Sequence, residues 1–208
     1  MKRRMLLRVA LTGGIATGKS HVIGEMRRRG IPCLDADELA HGVMVAGTEA
    51  SAAIAVRFGA GMLDASGAVD RKKLGRLVFA DAVARHDLEA IVHPAVYRAI
   101  AAGLRGFELD AGAALAVVDI PLLYESAHEG DFDQIVATIC RVEAQEARLI
   151  ARGLTRDEAR QRLAAQMSAE AKASRADYVI RTDGTFEETN TQVGRVLDSL
   201  LEKARATR

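Results

Sequence analysis

The chain has 208 residues, 49% of them hydrophobic and 27% charged, which provides for one α/β core plus one or two small inserted subdomains. A formal net charge of +1 removes any bulk electrostatic case for nucleic acid or an anionic membrane surface. No window reaches the roughly 18 apolar residues of a membrane span, and Cys33 and Cys140, each in an apolar run, read as buried thiols in a reducing compartment rather than as a metal pair.

The start, Met1-Lys2-Arg3-Arg4-Met5-Leu6-Leu7, superficially resembles a signal peptide. Arg8 interrupts the apolar run and no small-residue cleavage site follows, so a cytoplasmic chain is expected. Residues 6–12 predict the first strand. It leads into Gly13-Gly14-Ile15-Ala16-Thr17-Gly18-Lys19-Ser20, which fits G-x-x-x-x-G-K-[ST], and Val22, Ile23 and Met26 follow at helical spacing. A strand, a glycine-rich turn and a helix in that order direct successive backbone N–H groups at one concavity, which suits a nucleotide's β-phosphate at a positive helix N-terminus. Lys19 then reaches the β- and γ-phosphates and the Ser20 hydroxyl ligates Mg²⁺. A Cβ at Gly13 or Gly18 would obstruct the turn or the approaching phosphate.

A second strand is expected over 31–34, followed by Asp35-Ala36-Asp37. In parallel α/β sheets ligands gather at the carboxyl ends of strands. If strand two neighbours strand one, a carboxylate here faces the γ-phosphate and accepts a proton from an incoming hydroxyl. Helix capping at Glu38-Leu39-Ala40 is the competing role for either aspartate. With two carboxylates flanking one alanine both roles can be filled, and catalysis falls to Asp37. About eighty residues then separate strands two and three, far more than a crossover helix needs, so a subdomain is inserted there. Within it Asp64-Ala65-Ser66-Gly67 reads as a surface turn and Asp70-Arg71-Lys72-Lys73 as a solvated helix start.

The third strand, 114–119, ends in Asp119, which resembles a Walker B position supporting Mg²⁺ directly or through water; a cap or turn role is the alternative. A fourth strand is expected over 134–140 and a fifth over 177–180. Arg148 and Arg152, at i and i+4, share one helical face, and on spacing alone a solvated basic face with Glu143 and Glu146 nearby is favoured. Arg156, Arg160 and Arg162 read as surface charge, and His21, His41, His86 and His128 have no partners at metal-ligand spacing. Thr155-x-x-Glu158 and Thr185-x-x-Glu188 are capping boxes, and the last helix carries Val193, Val196, Leu197, Leu200 and Leu201 on one face. Strands alternating with helices predict a mostly parallel five-stranded sheet in a three-layer α/β/α nucleoside-triphosphate-binding fold with an inserted subdomain.

Taken together, Ala10-Leu11-Thr12-Gly13-Gly14-Ile15-x-x-Gly18-Lys19-Ser20, Asp35-Ala36-Asp37-x-x-Ala40, His93-Pro94, Asp119-x-Pro121-Leu122-Leu123-x-Glu125, Arg148-x-x-x-Arg152, Arg162-x-x-x-Gln166 and Ala176-Asp177-x-Val179-Ile180 resemble, in order, the dephospho-coenzyme A kinases. The resemblance covers about residues 8–185. It implies a cytoplasmic enzyme, working as a monomer or weak homo-oligomer with no nucleic acid or membrane partner. ATP would donate its γ-phosphoryl to the ribose 3′-hydroxyl of dephospho-CoA, the last step of coenzyme A synthesis, with Mg²⁺ as cofactor.

The resemblance implies a helical insert and a helical lid: the nucleotide core would comprise 1–37, 106–140 and 176–208, the acceptor insert 38–105 and the lid 141–175. On the donor side the resemblance implies Gly14, Ala16, Thr17, Gly18, Lys19, Ser20 and His21. On the acceptor side it implies Asp35, Asp37, His93 and Leu122. Lys19, Asp37 (general base), Arg148 and Arg152 would carry the chemistry, and Ser20 and Asp119 (through water) the metal; the resemblance thus turns the two arginines from a solvated face into a charge clamp. The chain departs from the family pattern at Ala16-Thr17 (often Gly-Ser), His21 (commonly Thr), His41 (usually Arg) and Arg181-Thr182 (typically Asp-Asn). A kinase for another nucleoside or nucleotide, a regulatory NTPase and a non-catalytic nucleotide-binding module are the competing readings. The guanine-reading Asn-Lys-x-Asp sequence of switch GTPases is absent.

Overall fold

The computed structural model describes residues 6–110 and 113–206, so the basic start at 1–5 lies outside the described residues. Its strands are β1 (Leu7–Gly13), β2 (Cys33–Asp35), β3 (Leu115–Asp119), β4 (Gln134–Ile139) and β5 (Tyr178–Arg181), arranged in one sheet in the order β2-β3-β1-β4-β5. Parallel pairing joins β1 to β3, β1 to β4 and β4 to β5. All five residues of β3 are buried, as a strand covered on both faces requires. The first, third, fourth and fifth strands lie within a residue of their expected bounds, so Cys140 falls just past β4. β2 starts two residues later than expected because Pro32 has no N–H to pair; its carbonyl accepts from the Val117 N–H at 2.9 Å instead.

The strand order settles a condition that the sequence left open. The neighbour of β1 is β3, not β2, with Leu11 in register with Asp119. The adjacency of β1 and β2, on which the reading of the Asp35-Ala36-Asp37 carboxylates as facing the γ-phosphate is conditioned, is therefore not met. Strand order depends on which crossovers pack best over the sheet, and no local pattern within β2 encodes it.

Two compact units divide the chain, one of residues 1–34 and 104–208, the other of residues 35–103. In the first, α1 (Lys19–Arg28) and the carboxyl-terminal helix Phe186–Ala206 pack on one face of the sheet. Val22 and Met26 meet Val9, Leu11, Leu115, Val117 and Val136 there, joined by Val193, Val196, Leu197 and Leu200 of the last helix. These four side chains recur at i, i+3, i+4 and i+7 and are all buried, each stabilising the fold by about 1.5–3 kcal/mol.

The second unit holds α2 (Ala36–Gly42), α3 (Glu49–Phe58), α4 (Arg71–Ala80) and most of α5 (Ala82–Asp110), a helix with Pro94 inside it. Ile54, Val69 and Leu74 form its core with Phe58, Leu88, Ile91 and Val92 around them. Thr48 caps α3 and Asp70 caps α4. The turn at Asp64 forms as expected: its Oδ1 accepts from the Ser66 N–H at 2.8 Å, closing the bridge between Leu63 and Val69.

Back in the first unit come α6 (Val142–Ala151), α7 (Arg156–Ala164) and α8 (Ala169–Ala173); the last helix, Phe186–Ala206, is α9. Both threonine capping boxes are present. Thr155 accepts from the Glu158 N–H at 3.3 Å and Thr185 from the Glu188 N–H at 3.1 Å, and each glutamate reaches back to the cap N–H. Burial raises both thiols, Cys33 to about 11, so neither is a ready thiolate; Cys140 is buried and Cys33 half-buried. Among the described residues no helix is long and apolar enough to cross a membrane.

Candidate active site

The turn between β1 and α1 is built by its glycines. Gly13 has φ 156° and is so enclosed that a Cβ would lie 2.7 Å from the Thr138 carbonyl oxygen. Gly18, at the N-cap of α1, is left-handed (φ 86°, ψ 18°), which turns the chain so that the following N–H groups point outward from the helix end. Ala16 is also left-handed at φ 58°, a conformation that costs a non-glycine residue about 1–2 kcal/mol and is held here by its surroundings. Its carbonyl accepts from Arg148 Nη1 at 3.0 Å. Thr17 is buried, its hydroxyl bonded to the Gly14 carbonyl (2.7 Å) and to Thr138 Oγ1 (2.6 Å), so this side chain braces the loop from behind.

Around the loop lies a cavity of about 420 Å³. Its walls are residues 16–21, Arg148 and Arg152 of the α6 end, Thr182 after β5, and Gly184, Thr185, Phe186 and Thr189 at the start of α9. Ser20 is exposed. Lys19 Nζ stands 3.9 Å from Asp119 Oδ1, with the two side chains 16% and 10% exposed. That is too long for a charge-assisted hydrogen bond, which closes to about 2.7–2.9 Å, so the ammonium remains available to an incoming anion. His21 Nε2 is 2.8 Å from Asn190 Oδ1, and its ring centroid is 4.6 Å from that of Phe186.

Arg148 is half-buried rather than part of a solvated face. Besides Ala16, it donates through Nη1 to Thr182 Oγ1 (3.2 Å) and through Nη2 to the Thr182 carbonyl (2.6 Å). The Thr182 hydroxyl in turn donates to the Thr17 carbonyl at 2.8 Å. Glu146, an acidic neighbour that spacing offered to Arg148 and Arg152, pairs with Arg156 and Arg160. Arg152 caps α6 and is exposed on the cavity wall.

In the other unit, Asp35 is the N-cap of α2, accepting from the Asp37 N–H at 2.8 Å and the Glu38 N–H at 3.1 Å. Asp37 is exposed in the first turn of that helix. His93 is half-buried on α5, one residue before Pro94, and Leu122 is 43% exposed in the segment after β3. Asp119 is 7% exposed at the tip of β3.

For a divalent cation, the Ser20 hydroxyl and the Asp119 carboxylate are hard oxygen donors that fit Mg²⁺. Among the described residues no group of three or more His, Cys, Asp or Glu forms a cage of its own. A cation here would take its remaining ligands from phosphate oxygens and water. Sequence reasoning singled out Thr182 only as a departure from the family pattern, and overlooked Phe186 and Thr189 as cavity residues. A position after a strand's carboxyl end marked Thr182, whereas nothing local marked the other two.

A parallel sheet whose central strand runs into a glycine-rich phosphate turn, with a lysine, a strand-tip aspartate and an arginine around it, defines a P-loop kinase. The comparisons narrow the class. The dephospho-CoA kinase family model matches residues 7–188. A dephospho-CoA kinase of Geobacillus kaustophilus is 42% identical over 194 residues, covering 93% of this chain and 96% of the relative. Among solved structures, TT1252 from Thermus thermophilus superposes with a TM-score of 0.78 at 34% identity, over 94% of this chain and 98% of that one. The dephospho-CoA kinase from Campylobacter jejuni gives 0.72 at 25% identity, over 96% and 99%. The chain belongs to the dephospho-CoA kinase family, whose reaction is the ATP-dependent phosphorylation of dephospho-CoA in coenzyme A biosynthesis.

Proposed function

We propose that this chain carries out the family reaction at the cavity around residues 16–21, moving the γ-phosphoryl group of ATP to the ribose 3′-hydroxyl of dephospho-CoA. The observation that carries this reading is the Gly18-Lys19-Ser20 entry to α1, with its left-handed glycine and with the Lys19 ammonium poised 3.9 Å from Asp119. The loop backbone (Gly14, Ala16, Thr17, Gly18) cradles the phosphates, Lys19 neutralises charge on the transferred group, and His21 borders the donor nucleotide. Ser20, and Asp119 through water, would hold Mg²⁺, which when bound neutralises the β- and γ-phosphate oxygens.

On the acceptor side Asp37 receives the proton of the attacking hydroxyl. What supports Asp37 over Asp35 is that Asp35 is already spent on two backbone N–H groups as a cap, while Asp37 follows the carboxyl end of β2 with its side chain exposed. Asp35, His93 and Leu122 contribute to acceptor binding, with 38–105 as the acceptor insert and 141–175 as the lid. Net charge near zero gives no bulk electrostatic case for nucleic acid or membrane partners, and the reading is of a cytoplasmic monomer or weak homo-oligomer. A coupled ADP-release assay offering dephospho-CoA, AMP, CMP and adenosine in parallel tests the reading. Turnover should follow dephospho-CoA, and equal turnover with AMP or CMP would refute it.

Arg148 and Arg152 stabilise charge developing on the phosphoryl group. Arg148→Ala should lower kcat by about 10²-fold while the KM for dephospho-CoA stays near wild type, because the guanidinium is preorganised by Ala16 and Thr182 at the donor side. A pure KM effect in steady-state kinetics would exclude that role.

A further inference from the structure

Among the described residues Lys172 is the largest side chain with no exposure at all, and it belongs to no motif discussed so far. Its ammonium donates to the Pro121 carbonyl at 2.6 Å and pairs with Glu125 Oε1 at 2.8 Å. Each partner is tied further into the site. The Pro121 carbonyl also accepts from the Thr12 hydroxyl of β1 at 3.3 Å, and Glu125 Oε1 accepts from the Met167 N–H at 3.1 Å. Pro121 is two residues past Asp119, and the intervening Ile120 N–H donates to Leu11 at 2.9 Å. Three residues before Lys172, buried Ala169 packs against the phosphate loop so tightly that a Cβ on Gly14 would come within 3.0 Å of the Ala169 Cβ. The short helix α8 thus touches both parts of the donor site, the glycine loop on one side and the exit of β3 on the other.

We propose that Lys172 is a positioning residue for phosphoryl transfer, bolting the segment 119–125 to α8 and thereby fixing where Asp119 faces Lys19. A leucine or methionine would fill the same volume without desolvating a charge, so what the lysine adds is direction: two short contacts that hold in only one register. Burial pushes the ammonium below the ordinary lysine value, Glu125 opposes that fall and Lys19 adds to it. Glu125 compensates the buried cation locally, so the charge of Lys172 is spent inside the fold while Lys19 lines the cavity. The inference rests on the reading of Lys19 and Asp119 given above.

The test compares Lys172→Met, Glu125→Gln and the double variant in the full-length enzyme. A misplacement of about 1 Å at a reacting centre costs up to about 10²-fold, so each single variant should lower kcat by about 10- to 100-fold while the KM for dephospho-CoA moves less than about threefold. Calorimetry with ATP and Mg²⁺, without acceptor, should show the Mg²⁺ concentration for half-saturation rising by about tenfold. The double variant should lose little more than the worse single one, since both remove one contact. A lowered melting temperature with kcat and Mg²⁺ dependence unchanged, or additive losses in the double variant, would overturn the proposal. If Lys172→Met does not fold, Glu125→Gln decides alone, its side chain being 25% exposed; wild-type kcat and Mg²⁺ dependence in that variant count against the bolt. Wild-type protein that fails to turn over dephospho-CoA would sink the functional reading instead, and the Mg²⁺–ATP calorimetry would still judge Lys172.

Discussion

Lys19→Ala is expected to lower kcat with ATP and dephospho-CoA by about 10³-fold or more, roughly 4 kcal/mol of transition-state stabilisation. The size follows from where the ammonium sits. Lys19 is the first residue of α1, immediately after the left-handed Gly18, so its stem leaves the helix end beside the N–H groups that would cradle the phosphates. Its 3.9 Å separation from Asp119 marks a loose pair, and an arriving γ-phosphate competes for the cation without first breaking a tight bond. In phosphoryl transfer most of the catalysis is positioning and charge neutralisation, so one missing cation at this point is felt almost entirely in the chemical step. Stopped-flow or steady-state rates, normalised to folded protein, check this. A variant retaining a tenth of wild-type kcat would remove Lys19 from the mechanism.

Asp37→Asn should reduce kcat by about 10²–10⁴-fold, the range of a lost general base, with ATP affinity within about twofold of wild type. The substitution keeps shape and deletes only the proton acceptor. ATP binding should be spared because the role proposed for Asp37 is on the acceptor side and the amide is close to the carboxylate in shape. Asp35→Ala is the informative contrast: it removes the cap of α2 and should cost about 1 kcal/mol in stability, measured by denaturant unfolding. Wild-type kcat in Asp37→Asn would show that the base lies elsewhere.

The strands, the capped helices and the glycine-rich turn were legible in the residues, because each depends on short-range rules. Apolar runs make strands covered on both faces. Thr155 and Thr185 announce their helices three residues ahead of a glutamate. The glycine at position 18 is demanded by a left-handed turn, and the last helix spells its buried face in Val193, Val196, Leu197 and Leu200. The spacing of Asp35 and Asp37 also foretold that one could cap while the other stayed open.

What no local pattern contained was which distant pieces meet. The placing of β3 between β1 and β2 puts Asp119 in register with Leu11 of the strand that leads into the glycine-rich turn. Arg148, 132 residues from Ala16 in sequence, reads locally as a solvated charge, yet it braces the strained loop and Thr182. Lys172 looks like any helix lysine until the fold removes all water from it and supplies Pro121 and Glu125. Capping, turns and amphipathic faces involve neighbours within about one helical turn, so composition and spacing alone determined them. Burial and partner choice are set by packing among segments far apart in the chain, and those only the tertiary structure decided.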